Sequence, residues 1–342
     1  MWHWFLDRVA TGPDCTAVIT PDEHITYRTL ARRAEEVAEG LPMLNGLRPW
    51  RVVVRDPDPL TVLVRVLACW RRCCSAVVLR DSMTQAQVAD IVSWLEPVAV
   101  IDGSTVTVAD EAASPPCSLN EREEALVICT SGTTGIPKLV ALPAESVRIN
   151  AMTIARALGI GTSDRVAVNT PLGYMYGLMG GCMASLRAGA TIRLFRPRDP
   201  LTQLQAGIRR EGVTVVQGPP SLFRLFLAYW NGEPFPGVRV VTTGGEPLGG
   251  ELADGLARAF PNARKMFLYG MTEAGPRISH LDFSQGGGHD SCVGMPYDHI
   301  DWRLDPVDGT DAGRLVLRGP GMFLGYITSD GRYEGLDESG YF

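Results

Sequence analysis

From Ala125 to Gly270 the chain alternates short apolar runs with amphipathic stretches, and that rhythm restricts the fold more than any other feature. Strands are expected near 125–129, 165–169, 190–195, 213–217, 238–242 and 265–269, with helices at 144–157, 201–211, 220–230 and 249–260. Such alternation predicts an α/β fold, with largely parallel sheets covered by helices on both faces. In open sheets of this kind ligands bind beyond the carboxyl ends of the strands. The first third repeats the pattern. Thr26 precedes a helix with Leu30, Ala34, Val37, Ala38 and Leu41 on one face. Asp58-Pro59 reads as an N-cap followed by proline at the first helical position. The helix it opens, Leu60 to Arg72, is apolar nearly all round and is expected to be buried. After about residue 285 the pattern changes to glycine-rich turns and short strands. The expected division is therefore 1–123 and 124–284 as two α/β subdomains, and 285–342 as a small β-barrel-like one, in keeping with a length of 342 residues.

One loop in this scheme has a chemistry of its own. Thr130-Ser-Gly-Thr-Thr-Gly-Ile-Pro-Lys138 follows an apolar strand and gathers hydroxyls, two glycines and a terminal lysine into one turn. Glycines let the backbone approach a ligand closely, inward N–H and O–H groups satisfy phosphate oxygens, and a cation closes the cradle. Lys138 and Lys265 are the only two lysines, and Lys265 reads as the solvated start of a strand. The loop lacks the spacing of a Walker motif, and a Gly/Thr-rich turn is also a common surface loop. Two further segments lie after strands. Tyr269-Gly-Met-Thr-Glu-Ala-Gly275 offers an aromatic face, a hydroxyl and a carboxylate, or reads as a tight turn with a capping Thr. Thr243-Gly-Gly-Glu-Pro-Leu248 puts glycines where a planar base could lie, or is an ordinary β–α turn.

Bulk properties narrow the classes of partner. The net charge of −6 gives no basic field for nucleic acid or anionic lipid. The eight cysteines form no CxxC pair, so neither a zinc site nor a disulfide framework is indicated, and a cytoplasmic setting is expected. The start lacks a signal-peptide pattern. Val166 to Leu186 is uncharged and long enough to cross a bilayer, but Asn169, Pro171 and four glycines break it into strand, loop and buried helix.

Taken together and in order, these segments resemble the adenylate-forming (AMP-binding) superfamily of acyl-CoA synthetases, luciferases and nonribosomal peptide synthetase adenylation domains. Residues 130–138 match its Thr-Ser-Gly-Thr-Thr-Gly-x-Pro-Lys signature, 269–273 its Tyr-Gly-x-Thr-Glu motif, and 244–248 its adenine turn. Gly313-Arg-Leu-Val-Leu-Arg-Gly-Pro320 through Gly325-Tyr326 is similar to a further family segment. The resemblance spans essentially the whole chain. It implies that a carboxylate attacks the α-phosphate of ATP, that an acyl-adenylate forms and pyrophosphate leaves, and that CoA, a carrier-protein thiol or an amine then takes the acyl group.

It also implies roles. Thr130, Ser131, Gly132, Thr133, Thr134, Gly135 and Lys138 would hold the outer phosphates, and Thr272 would contact the α-phosphate. Glu273 would bind Mg²⁺, so that Lys138, Thr272 and Glu273 carry the catalysis. Adenine would lie among Gly244, Gly245, Glu246, Pro247, Tyr269 and Gly270. The family's Pro-Leu-Phe-His-x-x-Gly segment appears as Pro171-Leu-Gly-Tyr-Met-Tyr-Gly177. Its Tyr174, Met175, Tyr176 and Gly177, with Met271 and Gly275, would form a pocket for an aromatic or other apolar acid, although these aromatics also read as plain core. Arg277 and His280 depart from the pattern of 4-coumarate-type ligases and hint at a polar group on the acid. The chain ends at Phe342, before the family's ribose-binding Asp and its lysine-bearing C-terminal domain. The expectation is thus a large N-terminal portion, weakly active alone. The alternative is a nucleotide- or acyl-adenylate-binding core that needs a separate C-terminal domain or partner.

Overall fold

Two mixed eight-stranded sheets organise the chain. The computed structural model describes residues 1–42, 50–109, 124–130, 138–196, 198–284, 292–329 and 331–342. In the first sheet the strands run in the order Ser279–Asp282, Arg264–Tyr269, Val240–Gly244, Val215–Gln217, Arg165–Val168, Thr191–Leu194, Thr16–Ile19 and His24–Thr26. All neighbours are parallel except the pairs at the two edges. In the second the order is Tyr333–Glu334, Gly325–Ile327, Lys138–Pro143, Glu124–Thr130, Ser75–Val78, Arg51–Arg55, Ala99–Asp102 and Thr105–Val108. Here only the run from Glu124–Thr130 to Ala99–Asp102 is parallel. The expectation of largely parallel sheets thus holds for the first sheet and only for the centre of the second.

The difference has a local cause. Lys138–Pro143 folds back antiparallel on Glu124–Thr130, with Thr130 opposite Lys138, and Gly325–Ile327 then pairs antiparallel with its other side. Strands also cross the expected boundary at 123/124. Thr16–Ile19 and His24–Thr26 join the first sheet, whereas Glu124–Thr130 and Lys138–Pro143 lie in the second. The segment expected to form a barrel-like unit is likewise divided. Among the described residues, Asp301–Pro306 and Gly313–Arg318 make a separate two-stranded hairpin, while Gly325–Ile327 and Tyr333–Glu334 extend the second sheet.

Helices form where caps and periodicity coincide. The Thr26 side chain accepts the Thr29 N–H to start Tyr27–Glu39, which buries Leu30, Ala31, Ala34 and Ala38 along one face. Asp58 caps Pro59–Arg71, whose sides are almost all buried because the helix packs against Tyr27–Glu39 and its own sheet. The uncharged run splits into the strand Arg165–Val168, a π-helix Tyr176–Met183 and an α-helix Ala184–Ala188. No described helix is long and apolar enough to cross a membrane. Val18, Val54, Leu67, Ile128, Val166 and Met179 belong to one cluster, so the two sheets share a core.

A buried carboxylate ties together the amino-terminal ends of the first sheet. Asp164 accepts hydrogen bonds from Arg239 Nε at 2.7 Å and Nη2 at 2.6 Å, from Thr214 Oγ1 at 2.7 Å and from the Gly161 N–H at 2.8 Å. Burial alone would raise its pKa, but these bonds and the Arg239 charge outweigh burial and hold it below the ordinary carboxylate range. A carboxylate depressed in the folded state stabilises above its unfolded pKa, about 3.9. That stabilisation fades as pH falls through the lower folded value. Asp164→Asn is therefore expected to melt well below the parent at pH 7, with the gap narrowing below about pH 4. Thermal melts at both pH values check this, and a gap of constant size would refute it.

Lys265 departs from expectation. It is buried, with Nζ donating to the Ala263 carbonyl at 2.8 Å, and burial lowers its pKa. Its strand is buried on both faces after Arg264, so the side chain folds back to the strand's own start rather than reaching solvent.

Candidate active site

The three motif segments meet at the carboxyl ends of strands from both sheets. Thr130 ends Glu124–Thr130 and Lys138 begins Lys138–Pro143, so the base of the phosphate-type loop is closed by paired strands. Ser131, Gly132, Thr133, Thr134 and Gly135 lie outside the described residues. Lys138 Nζ sits 4.7 Å from the centroid of the Tyr326 ring. The Tyr326 hydroxyl in turn donates to Glu273 Oε1 at 2.6 Å. One tyrosine thus joins the loop's cation to the motif carboxylate, because the strand Gly325–Ile327 pairs with Lys138–Pro143 at Tyr326 and Val140. Burial, then the bond to Glu273 and its negative charge, raise the Tyr326 pKa, so the hydroxyl stays protonated as a donor.

Glu273 is placed by its backbone. Thr272–Ala274 form one 3₁₀ turn, and the Glu273 carbonyl accepts the Phe323 N–H at 2.8 Å. Gly275 closes the turn at φ +68°, where a Cβ would lie 2.3 Å from Asn150 Nδ2, so this position requires glycine. Gly275 is therefore a backbone requirement of the turn. Met271 packs against a small cluster containing Ala274, Ile278 and Met322.

Beside this turn lies a cleft of about 430 Å³ lined by Gly245, Glu246, Pro247, Tyr269 and Gly270, together with Cys292 and Val293. Gly244 stands behind it, where a Cβ would lie 2.2 Å from the Leu268 carbonyl oxygen. Five of the six expected adenine residues therefore line one opening. The Glu246 side chain has another partner. Its carboxylate accepts the Ser221 N–H at 3.0 Å and the Ser221 hydroxyl at 2.7 Å, at the first turn of the helix Pro220–Ala228. Nothing in the sequence pointed to Cys292 and Val293, which are distant in the chain and carry no motif.

The residues expected to line the acid pocket differ in their surroundings. Tyr174 is 42% exposed, with its ring 5.4 Å from the Arg80 guanidinium carbon and its hydroxyl 3.3 Å from Arg80 Nη1. Met175 is 4% exposed and packs in the main core. Gly177 is a contact point, since a Cβ there would lie 2.5 Å from the Thr170 carbonyl oxygen. Tyr176 points inward, with its hydroxyl 3.1 Å from the carbonyl oxygen of Thr242. Its ring packs against the Arg277 guanidinium at 4.6 Å. A buried guanidinium therefore lies against Tyr176. His280 Nδ1 lies 3.0 Å from the Tyr297 hydroxyl, and burial lowers the His280 pKa.

Known proteins resemble this chain in sequence and in fold. The family described as AMP-binding enzyme matches residues 5–327. The chain belongs to that AMP-binding enzyme family. Among curated relatives, feruloyl-CoA synthase from Amycolatopsis sp is 27% identical over 353 residues, covering 94% of this chain and 70% of the relative. Among solved structures, o-succinylbenzoate coenzyme A synthetase from Bacillus subtilis in complex with AMP superposes with a TM-score of 0.81 at 20% identity, covering 99% of this chain and 74% of that one. The Klebsiella oxytoca NpsA N-terminal subdomain, in complex with 3-hydroxyanthranilyl-AMSN, gives a TM-score of 0.80 at 20% identity, covering 96% and 89%. The chemistry of this AMP-binding enzyme is ATP-dependent, adenylate-forming activation of a carboxylic acid. The acid–CoA ligase relatives favour that reading over a core that merely holds nucleotide.

Proposed function

We propose that this AMP-binding enzyme joins an aromatic or apolar carboxylic acid to AMP, for transfer to the thiol of CoA or a carrier-protein phosphopantetheine, or to an amine. The observation that carries the reading is the Lys138–Tyr326–Glu273 arrangement beside the cleft. Adenylate formation needs a cation on the departing outer phosphates and a carboxylate for their counter-ion, both fixed before reaction. Lys138 and Glu273 supply these groups, and Tyr326 keeps them in register. Thr272, next to Glu273, would meet the α-phosphate, with adenine in the cleft between Gly245 and Tyr269.

Mg²⁺ is commonly held by one or two carboxylates together with substrate phosphates, so a single well-placed Glu273 fits it. Among the described residues no group of three or more His, Cys, Asp or Glu could hold an ion alone, in keeping with a site completed by nucleotide. When bound, the ion would neutralise charge on the phosphates as pyrophosphate leaves. Seven described cysteines are free, which supports placement in the cytoplasm.

Acid-dependent exchange of pyrophosphate into ATP tests the proposal. Benzoate- and cinnamate-type acids are expected to raise exchange above the acid-free rate, and short aliphatic acids far less. A rate that no acid raises would overturn it.

A further inference from the structure

Two buried polar side chains at the acid end of the site lack partners. Arg277 is 4% exposed, and neither its Nε nor its Nη2 has a hydrogen-bond partner. Gln217 is 2% exposed, and neither atom of its amide has one. They are neighbours across the π-helix Tyr176–Met183. A Cβ at Gly180 would lie 2.8 Å from Arg277 Nη2 and 3.3 Å from Gln217 Oε1, and one at Gly181 would lie 3.2 Å from Gln217 Nε2. Gln217 is the last residue of Val215–Gln217, so the pair stands at the carboxyl edge of the sheet where ligands bind.

Buried polar groups are nearly always satisfied, and a buried charge without a counter-charge is costly. Among the described residues no carboxylate forms an ion pair with Arg277. Its contacts are instead with Tyr176, through the ring face and a side-chain hydrogen bond, and Tyr176 carries no full charge. The free atoms are informative as a set. Nε and Nη2 form one edge of the guanidinium, with two parallel N–H bonds that match the two oxygens of a carboxylate. The Gln217 amide stands nearby, with Oε1 toward Gly180 and its donor Nε2 toward Gly181.

We propose that Arg277 and Gln217 recognise a second carboxylate on the acid, at the end away from the carboxyl group that is activated. The substrate is then an aromatic or apolar dicarboxylic acid, and Arg277 is the residue that selects it. This rests on the acid-activation reading above. Gly180 and Gly181 let the π-helix pack closely on this pair, since a Cβ at Gly180 would lie 2.8 Å from Arg277 Nη2.

Non-hydrolysable acyl-sulfamoyl-adenosines test this without requiring turnover. Affinities would be measured by calorimetry for AMP and for the benzoyl, 3-carboxybenzoyl and 4-carboxybenzoyl analogues. At least one carboxylated analogue is expected to bind ten- to a hundredfold more tightly than the benzoyl analogue. Arg277→Met should erase that preference while leaving AMP and benzoyl-analogue binding in place, and Gln217→Leu should reduce it. Arg277→Met should also melt at or above the parent temperature in the absence of ligand, because it removes an uncompensated charge. A merely structural arginine would do the reverse. If the carboxylated analogues gain nothing over benzoyl, or if the preference survives Arg277→Met, the proposal is overturned. If every acyl analogue binds only like AMP, the activation reading falls with it. If the benzoyl analogue binds far more tightly than AMP yet a carboxylate adds nothing, only the present proposal falls.

Discussion

Glu124→Ala is expected to lower the free energy of unfolding by about 3–5 kcal/mol, the cost of stranding one partner of a buried ion pair. Glu124 accepts Arg51 Nε and Nη2 at 2.9 Å each, and the Tyr333 hydroxyl at 2.8 Å. Both side chains of the pair are buried. Burial on its own would lower the Arg51 pKa, but the Glu124 carboxylate more than offsets it and the net direction is upward. The triad links Arg51–Arg55 in the middle of the second sheet, the first residue of Glu124–Thr130, and the edge strand Tyr333–Glu334. Without the carboxylate, a buried guanidinium and a half-buried phenol lose their partner. Replacing both charges, as Arg51→Met with Glu124→Leu, should restore much of the loss, since the desolvation cost disappears with the pair. Denaturant titration at unchanged slope measures both variants. A loss under about 1 kcal/mol for Glu124→Ala would mean that water reaches the arginine.

How far such features can be read from the chain depends on whether their cause is local. The helices Ala144–Ala157, Leu201–Arg210 and Gly250–Ala259 were legible because apolar periodicity and flanking turn residues are properties of neighbouring positions. The strand Lys138–Pro143 was not. Leu139 to Leu142 is a short apolar run without a helical or strand period of its own, and only pairing with Glu124–Thr130 defines it. Site residues follow the same division. The turns at 243–248 and 270–275 were legible as contiguous motifs after strands. Met175, between two tyrosines of the same segment, packs in the main core at the start of the π-helix Tyr176–Met183. Glu246 was legible as a carboxylate in a turn but not as a partner of Ser221, 25 residues earlier. Arg277 and Gln217 meet only through the fold, both packing on Gly180, and no single-sequence pattern pairs them.

Lys138→Ala is expected to lower acid-dependent pyrophosphate exchange on the order of a hundredfold or more, the usual effect of removing one fixed electrostatic donor from a reacting charge. The loss should fall on the outer phosphates. Lys138 is exposed at the end of its strand, and among the described residues no carboxylate forms an ion pair with it. Its fixed contact is the Tyr326 ring, 4.7 Å from Nζ. An ammonium held over a ring face keeps its N–H groups free for a ligand, which a salt bridge would not. The ring is itself fixed by the hydroxyl bond to Glu273, so the cation and the carboxylate cannot drift apart independently. ATP affinity should therefore drop sharply in Lys138→Ala, while AMP affinity, which involves no outer phosphates, stays within a few-fold. Tyr326→Phe keeps the ring and removes the tether, so it should cost less in ATP binding than Lys138→Ala and more in exchange than in binding. Calorimetry with both nucleotides separates the cases. Equal losses for ATP and AMP in Lys138→Ala would place the lysine on the α-phosphate side, and would remove the reason for assigning it to the departing pyrophosphate.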